Sequence, residues 1–251
     1  MEALADPGCG WLYKRDTTSF KDIPGMPVAY WATDAVFRAF RSYPNLKSLS
    51  PALLGLYSRD NELMIRYWHE IGYGRVGKNA KCSADFSGNT VWLPHCKGGN
   101  FRNWFGNMDL VVWFKDAGEA IRKNGIMNNE DCYYIRGITW TALSSSRNSF
   151  RIKPYSVSFD SNKGPFIADS IVLPSEYLLG LFNSSIAVAI LQILNPTLSL
   201  QNGDMNRFPI CINSGHKNQV VDGATTNIEE AKKTGIALRR LLNSESIHFC
   251  R

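Results

Sequence analysis

The sequence has no Cys-x-x-Cys pair, no glycine-rich phosphate loop, no Gly-x-Ser-x-Gly elbow, no His-Glu-x-x-His helix and no Gly-x-Gly-x-x-Gly turn. Those absences remove the usual signatures of zinc ribbons, P-loop NTPases, serine hydrolases, metalloproteases and dinucleotide enzymes. The six cysteines, Cys9, Cys82, Cys96, Cys132, Cys211 and Cys250, are widely scattered. That scatter suits reduced thiols in the cytoplasm and not a disulfide framework. Cys82, His95 and Cys96 lack a fourth ligand at sensible spacing, so no metal site is expected. Adjacent residues on a strand point to opposite faces, so His95 is not expected to activate Cys96. Internal repeats and low-complexity tracts are missing too.

Long apolar runs are also scarce. Residues 1–16 carry Glu2, Asp6, Lys14, Arg15 and Asp16 without an apolar core, so no secretory signal is expected there. Residues 177–203 hold no charge. However, Asn183-Ser184-Ser185 interrupts them, Gln192 follows, Pro196 ends the run, and no Lys/Arg cluster flanks it. A buried core helix over 176–194 is expected, not a membrane span.

What is present fits a folded chain of one large domain or two small ones, with 251 residues, 44% hydrophobic and 12% aromatic. Lys+Arg 28 against Asp+Glu 22 gives a formal charge of +6. This mild basic excess is compatible with a nucleic-acid partner and equally with an ordinary solvated surface.

Along the chain, residues 1–20 read as a loose lead-in and 23–27 as an extended, proline-rich turn. Thr33 or Asp34 can cap a short helix bearing Val36, Phe37 and Phe40. Asp60 or Asn61 can cap another, with Leu63, Met64, Tyr67, Trp68 and Ile71 on one apolar face. Residues 46–56 are ambiguous. Short segments rich in β-branched and aromatic residues then predict strands at 90–93, 110–114, 133–143, 150–152, 157–159 and 167–173. A helix is expected over 116–123. Thr226 or Asn227 can cap a last helix to about residue 242, with Glu229 and Glu230 in its first turn and Arg239 and Arg240 near its end. The resulting class is α+β, a strand-rich centre flanked by helices. The boundaries read as a helical lead-in over 1–85, a central domain over 86–212 that includes the buried helix, and a C-terminal loop and helix over 213–251.

Three polar-aromatic stretches stand out. The first is Lys97-Gly98-Gly99-Asn100-Phe101-Arg102-Asn103-Trp104-Phe105-Gly106-Asn107. Its cations suit phosphate, its Arg and Asn suit base edges, its aromatics can stack or wedge, and its glycines free the backbone. The second runs from Arg136-Gly137-Ile138-Thr139-Trp140 into Ser144-Ser145-Ser146-Arg147-Asn148. Its hydroxyls and Arg147 read as a phosphate or base contact, or as a serine-rich turn. The third is Asn195-Pro196-Thr197-Leu198-Ser199-Leu200-Gln201-Asn202-Gly203-Asp204. Its amides can read adenine or can be structural. Asn195-Pro196 lacks the second proline and the aromatic of an amino-methyltransferase motif, and reads as a helix stop.

In order, these strings resemble the C-terminal part of the PglX family, the adenine-specific DNA methyltransferases of BREX phage-defence systems. More broadly they resemble the specificity domains of type IIG restriction–modification enzymes. The resemblance rests on Lys97-Gly98-Gly99-x-Phe101-Arg102-x-Trp104-Phe105-Gly106-Asn107, on Gly137-Ile138-Thr139-Trp140, on Leu178-Leu179-Gly180-Leu181-Phe182-Asn183-Ser184, and on Ile193-Leu194-Asn195-Pro196-Thr197-Leu198. Upstream, Ile23-Pro24-Gly25-x-Pro27-x-Ala29-Tyr30-Trp31 and Asp60-Asn61-x-x-x-x-Arg66-Tyr67-Trp68-His69-Glu70 continue it. It covers roughly residues 20–210. Ser58-Arg59 stands where the family usually has Thr-Gly, and the last forty residues match poorly.

The resemblance implies a target-recognition region, as a split subunit, a truncated gene or an excised domain, without the family's methyl-donor and Asn-Pro-Pro-Tyr motifs. Such a chain is expected to be inactive alone and to have no catalytic residue. S-adenosylmethionine would belong to the missing catalytic domain, which would act on a flipped adenine. Duplex DNA is the implied partner, with a catalytic domain in trans and other BREX components as further ones. Lys97, Arg102, Asn103, Trp104, Asn107, Trp140, Ser144, Ser145, Arg147 and Lys153 are the implied DNA contacts, although Trp104 and Trp140 read equally well as core. The alternative is an assembly subunit that binds a protein partner and has no role in DNA specificity.

Overall fold

The computed structural model describes residues 13–144 and 147–211. Its helices are α1 (Asp34–Ser42), α2 (Leu46–Leu49), α3 (Asn61–Met64), α4 (Lys115–Asn124), α5 (Ser175–Phe182), α6 (Ser185–Leu194) and α7 (Asn202–Asn206). Its strands are β1 (Ala52–Leu53), β2 (Leu56–Tyr57), β3 (Ile65–Tyr67), β4 (Trp92–Cys96), β5 (Leu110–Trp113), β6 (Ile126–Met127), β7 (Gly137–Trp140), β8 (Phe150–Lys153), β9 (Ser158–Phe159) and β10 (Phe166–Ala168). The class is α+β, as expected from a strand-rich centre flanked by helices.

One sheet has the order β1-β10-β7-β8, all antiparallel, with Thr139 opposite Arg151 and Trp140 opposite Phe150. A second has the order β3-β5-β4-β9, in which only β4 and β9 run parallel. β2 and β6 form a separate antiparallel pair. Strands from before residue 86 thus take part in every sheet. Phe159 of the second sheet meets Phe166 of the first at 4.7 Å between ring centroids, and Tyr133 and Phe114 continue that aromatic core. On the first sheet's helix side, Trp140, Phe150, Phe182 and Phe208 form a chain of ring contacts. Gly137 must be glycine: a Cβ there would lie 2.1 Å from the Ile167 carbonyl oxygen and against the Phe166 ring.

Two helix expectations need correction. The segment capped by Asp60 is helical only to Met64 and then becomes β3. Its apolar face is no core stripe, because Tyr67 and Trp68 are half-exposed. Pairing of Ile65 and Tyr67 with β5 outweighs the local helical period. The single helix expected over 176–194 is two helices, bent by 74° between Phe182 and Ser185. Ser184 caps α6 by accepting from the Ala187 N–H at 3.2 Å. Among the described residues no single helix is long and apolar enough to cross a membrane. The strand expected over 133–143 shrinks to β7, because a 3-10 turn takes Glu130–Tyr134. The helix expected at 226–242 lies outside the described residues.

Asn183, at the bend, explains why the break is there. Its amide accepts from the Phe150 N–H at 3.1 Å and donates to the Phe150 carbonyl at 3.0 Å and the Leu179 carbonyl at 3.0 Å. It thereby satisfies a helix end and part of the free edge of β8. Asn183→Ala removes these bonds and is expected to lower unfolding stability by about 2 kcal/mol in a urea titration. An unchanged midpoint would show that the amide contributes nothing.

Candidate nucleic-acid interface

The chain leaves β4, β7 and β9 at the same end, and enters β8 there. The loops at this end are tied to one another. Thr141 Oγ1 donates to the Gly99 carbonyl at 3.2 Å, and the Ala142 N–H donates to the Lys163 carbonyl at 3.1 Å. The Ser144 N–H donates to the Leu198 carbonyl at 3.1 Å, and the Leu200 N–H to the Ala142 carbonyl at 2.7 Å. Gly98, at φ 85°, passes so close to Lys163 that a Cβ would lie 2.4 Å from its carbonyl oxygen. All three sequence stretches therefore converge, and the turn at 161–165 joins them.

The 97–107 loop is fixed by its backbone. The Trp104 N–H donates to the Phe150 carbonyl at 2.9 Å, and the Trp104 carbonyl accepts from the Ile152 N–H at 2.9 Å. Asn107 Nδ2 donates to the Asn100 carbonyl at 2.9 Å and closes the loop. Thr141 Oγ1 also accepts from Arg151, whose guanidinium donates to Ser149 as well and sits beneath the loop. Arg151 is buried, and no carboxylate pairs with it among the described residues. Its charge is compensated only by neutral dipoles, so it adds a fixed positive field under this surface.

The segments 97–107, 141–149, 161–165 and 195–203 contain Lys97, Arg102, Arg147 and Lys163 and no acidic residue, and the two acids that border them, Asp160 and Asp204, are buried. Arg102, Arg147 and Lys163 are exposed. Lys97 is half-buried and turns to Asn61, to which its ammonium donates. Burial holds the Lys97 ammonium below the ordinary lysine range, the Asp160 carboxylate opposes that, and nearby Lys163 adds like-charge repulsion. Beside Lys97 opens a cleft of about 450 Å³ lined also by Asn61, Arg66, Tyr67 and Glu70.

The structure sorts the expected contacts. Arg102, Trp104 and Arg147 are exposed, and Asn103, Asn107 and Ser144 are partly exposed, all at this end. Ser145 lies outside the described residues. Trp140 and Lys153 are corrections, since both are fully buried. Trp140 packs on Phe150 and donates from Nε1 to the Leu200 carbonyl at 3.0 Å. Lys153 donates to the carbonyls of Tyr133, Pro154 and Val157 at 3.1, 3.1 and 2.8 Å, and burial pulls its ammonium down to about 7. Asn195 is spent internally, accepting from the Thr197 N–H at 2.9 Å and donating to the Ser199 carbonyl at 2.8 Å. It is the helix stop that its sequence suggests. Sequence reasoning missed Lys163, which showed only as part of a turn signal, and the buried Arg151, whose role depends on pairing across sheets.

His95 faces Ser158, 3.0 Å from Nδ1 to Oγ, not Cys96. Burial, with Lys97 nearby, pushes the His95 imidazole down to about 3. It is therefore neutral, and its 3.9 Å approach to Asp160 is not an ion pair. Burial pushes the Cys96 thiol up to about 11, away from nucleophilic use. Among the described residues no group of three metal-ligating side chains converges.

No family model matches the chain. It is similar to the adenine-specific methyltransferase PglX of Lacticaseibacillus casei (strain Zhang), 30% identical over 246 residues, covering 93% of this chain and 20% of that protein. It is also similar to the adenine-specific methyltransferase BrxX of Escherichia coli O9:H4 (strain HS), 32% identical over 216 residues, covering 85% of this chain and 17% of that protein. The chain spans about a fifth of the length of the curated relatives it matches.

Two measurements check these placements. The unfolded chain protonates His95 near 6.5 and the folded chain near 3, so stability is full above 6.5 and is lost as pH falls below it. Going from neutral pH to about pH 5 is expected to cost about 2 kcal/mol through this group, and His95→Asn should flatten that slope. Lys153→Ala should lower stability by about 2–4 kcal/mol while leaving the salt dependence of any DNA binding unchanged. A changed salt slope at unchanged stability would return Lys153 to the surface.

Proposed function

We propose that this chain is a DNA sequence-recognition region of an adenine-specific DNA methyltransferase of the BREX type. The observation that carries the reading is the convergence of four acid-free loops, bearing Lys97, Arg102, Arg147 and Lys163, on a rigid end of two sheets. Loops that lack any carboxylate and sit over an uncompensated buried guanidinium are suited to a polyanion. The amide of Asn100, which is exposed, and the polar side chains of Asn107 and Ser144, which are partly exposed, add donors and acceptors of the kind that read base edges. Similarity to two proteins named as adenine-specific methyltransferases makes DNA the polyanion of choice.

In this reading, S-adenosylmethionine and the methyl transfer belong to a catalytic domain outside the described residues. The two described clefts are open, lined by residues 76–80, Asp85 and Thr90 in one case and by the Lys97 surroundings in the other. Neither carries the glycine-rich strand-to-helix turn of a nucleotide site, so no step is assigned to the cofactor here. The described residues would hold and select the duplex; a catalytic domain and other BREX components would be the protein partners.

Arg102→Ala combined with Lys163→Ala tests the reading, since both side chains are exposed and neither is paired to a carboxylate among the described residues. Binding of the 251-residue chain to a short duplex, followed by fluorescence anisotropy, should weaken at least ten-fold at low salt. The slope of log affinity against log salt should fall by about 2. Equal binding by the folded double variant, or retention of a protein partner with no duplex binding, would favour the assembly-subunit alternative.

A further inference from the structure

The 97–107 loop exposes three large aromatic side chains within five residues. Phe101, Trp104 and Phe105 are 52%, 55% and 62% exposed. An isolated exposed aromatic is unremarkable, but three within five residues of one loop leave much apolar surface in water. The backbone beneath them is unusual. Trp104 has φ 74°, a left-handed value that a bulky side chain seldom adopts. The Phe105 N–H donates to the Asn103 carbonyl at 2.9 Å, which makes Trp104 the centre of a strained γ-turn. Gly106 at φ 130° and Asn107 at φ 56° complete the reversal.

The strain is held from outside the loop. Both backbone groups of Trp104 are bound by β8, through Phe150 and Ile152. Asn107 ties the far side to Asn100. The Arg102 stem lies across Gly106, where a Cβ would approach Arg102 Cδ to 2.7 Å. The turn is therefore rigid and the rings are its outward part. Strain maintained in this way is a common mark of a site prepared for a ligand. The surrounding cations and the absence of acids on the four loops specify a polyanionic ligand with flat apolar faces.

Resting on the DNA-recognition reading above, we infer that Trp104, flanked by Phe101 and Phe105, is a wedge that enters the base stack of the bound duplex. Arg102, Arg147 and Lys163 hold the phosphates on either side. The ring stacks on a base exposed by partial unstacking of one step, so part of the recognition lies in how readily the DNA opens there. Preorganisation by β8 lowers the conformational cost of presenting the ring.

The test does not require the recognised sequence. Two short duplexes are compared, identical except that one carries a central mismatch, which is already partly unstacked. The wild-type 251-residue chain is expected to bind the mismatched duplex about ten-fold more tightly than the paired one. Trp104→Asn keeps a residue that tolerates positive φ and removes the ring. It should abolish that preference, weakening binding to the mismatched duplex by about ten-fold more than binding to the paired one. Phe105→Ser, which leaves the strained position untouched, should reduce the preference partially. Equal wild-type affinity for the two duplexes overturns the wedge and leaves the DNA-recognition reading standing. An equal loss of affinity for both duplexes in Trp104→Asn, at unchanged melting temperature, also overturns it. Absence of binding to either duplex at low salt overturns both readings.

Discussion

The attachment of the 97–107 loop to β8 is the interaction on which the rest of the interface depends. Trp104 supplies an N–H and a carbonyl that the edge of β8 needs, and in return β8 fixes the loop. An unpaired strand edge invites aggregation, and here the 97–107 loop closes the edge at Phe150 and Ile152 and the Asn183 amide adds to it at Phe150. The same few bonds therefore protect the sheet and orient the candidate contacts. Loosening β8 would disperse Arg102, Trp104 and Phe105 even though none of them belongs to the core.

The buried polar groups of β8 follow from the same arrangement. Arg151 and Lys153 are inward residues of a strand whose flanking loops leave carbonyls and hydroxyls unpaired. Each cation gathers several of those acceptors, Arg151 from Ser149 and Thr141 and Lys153 from three backbone carbonyls. Buried basic groups held this way order the acceptors around them, and removing one strands several partners at once. A basic residue near these loops thus has two quite different uses. Lys163 and Arg102 meet solvent, whereas Arg151 and Lys153 organise the layer below.

The fold class, β4, β5, β8 and β9 were legible because short runs of β-branched and aromatic residues leave few alternatives. The helix around Tyr67 and the single helix over 176–194 were misread because a period of 3.6 is also produced by residues that leave a helix for a paired strand or bend at a capping serine. The three polar-aromatic stretches were recognisable from side-chain chemistry, and their convergence was not, since it depends on which strands run parallel. Trp140 and Lys153 show the limit most clearly: each has the side chain of a DNA contact, and only the registers of β7 against β8 and β10 reveal that both lie inside. Lys163 showed only as part of a turn signal, because its place beside Lys97 follows from the parallel pairing of β4 with β9.

The central claim is that one end of the paired sheets, built by the loops around Trp104, is the surface that meets DNA. Amide hydrogen–deuterium exchange of the 251-residue chain, with and without a short duplex at low salt, tests it most directly. The account predicts slowed exchange in residues 97–107, 141–149 and 161–165 and none along β3 or α1. Protection confined to β3, α1 or the surface of α5 and α6, with the Trp104 loop unchanged, would contradict it.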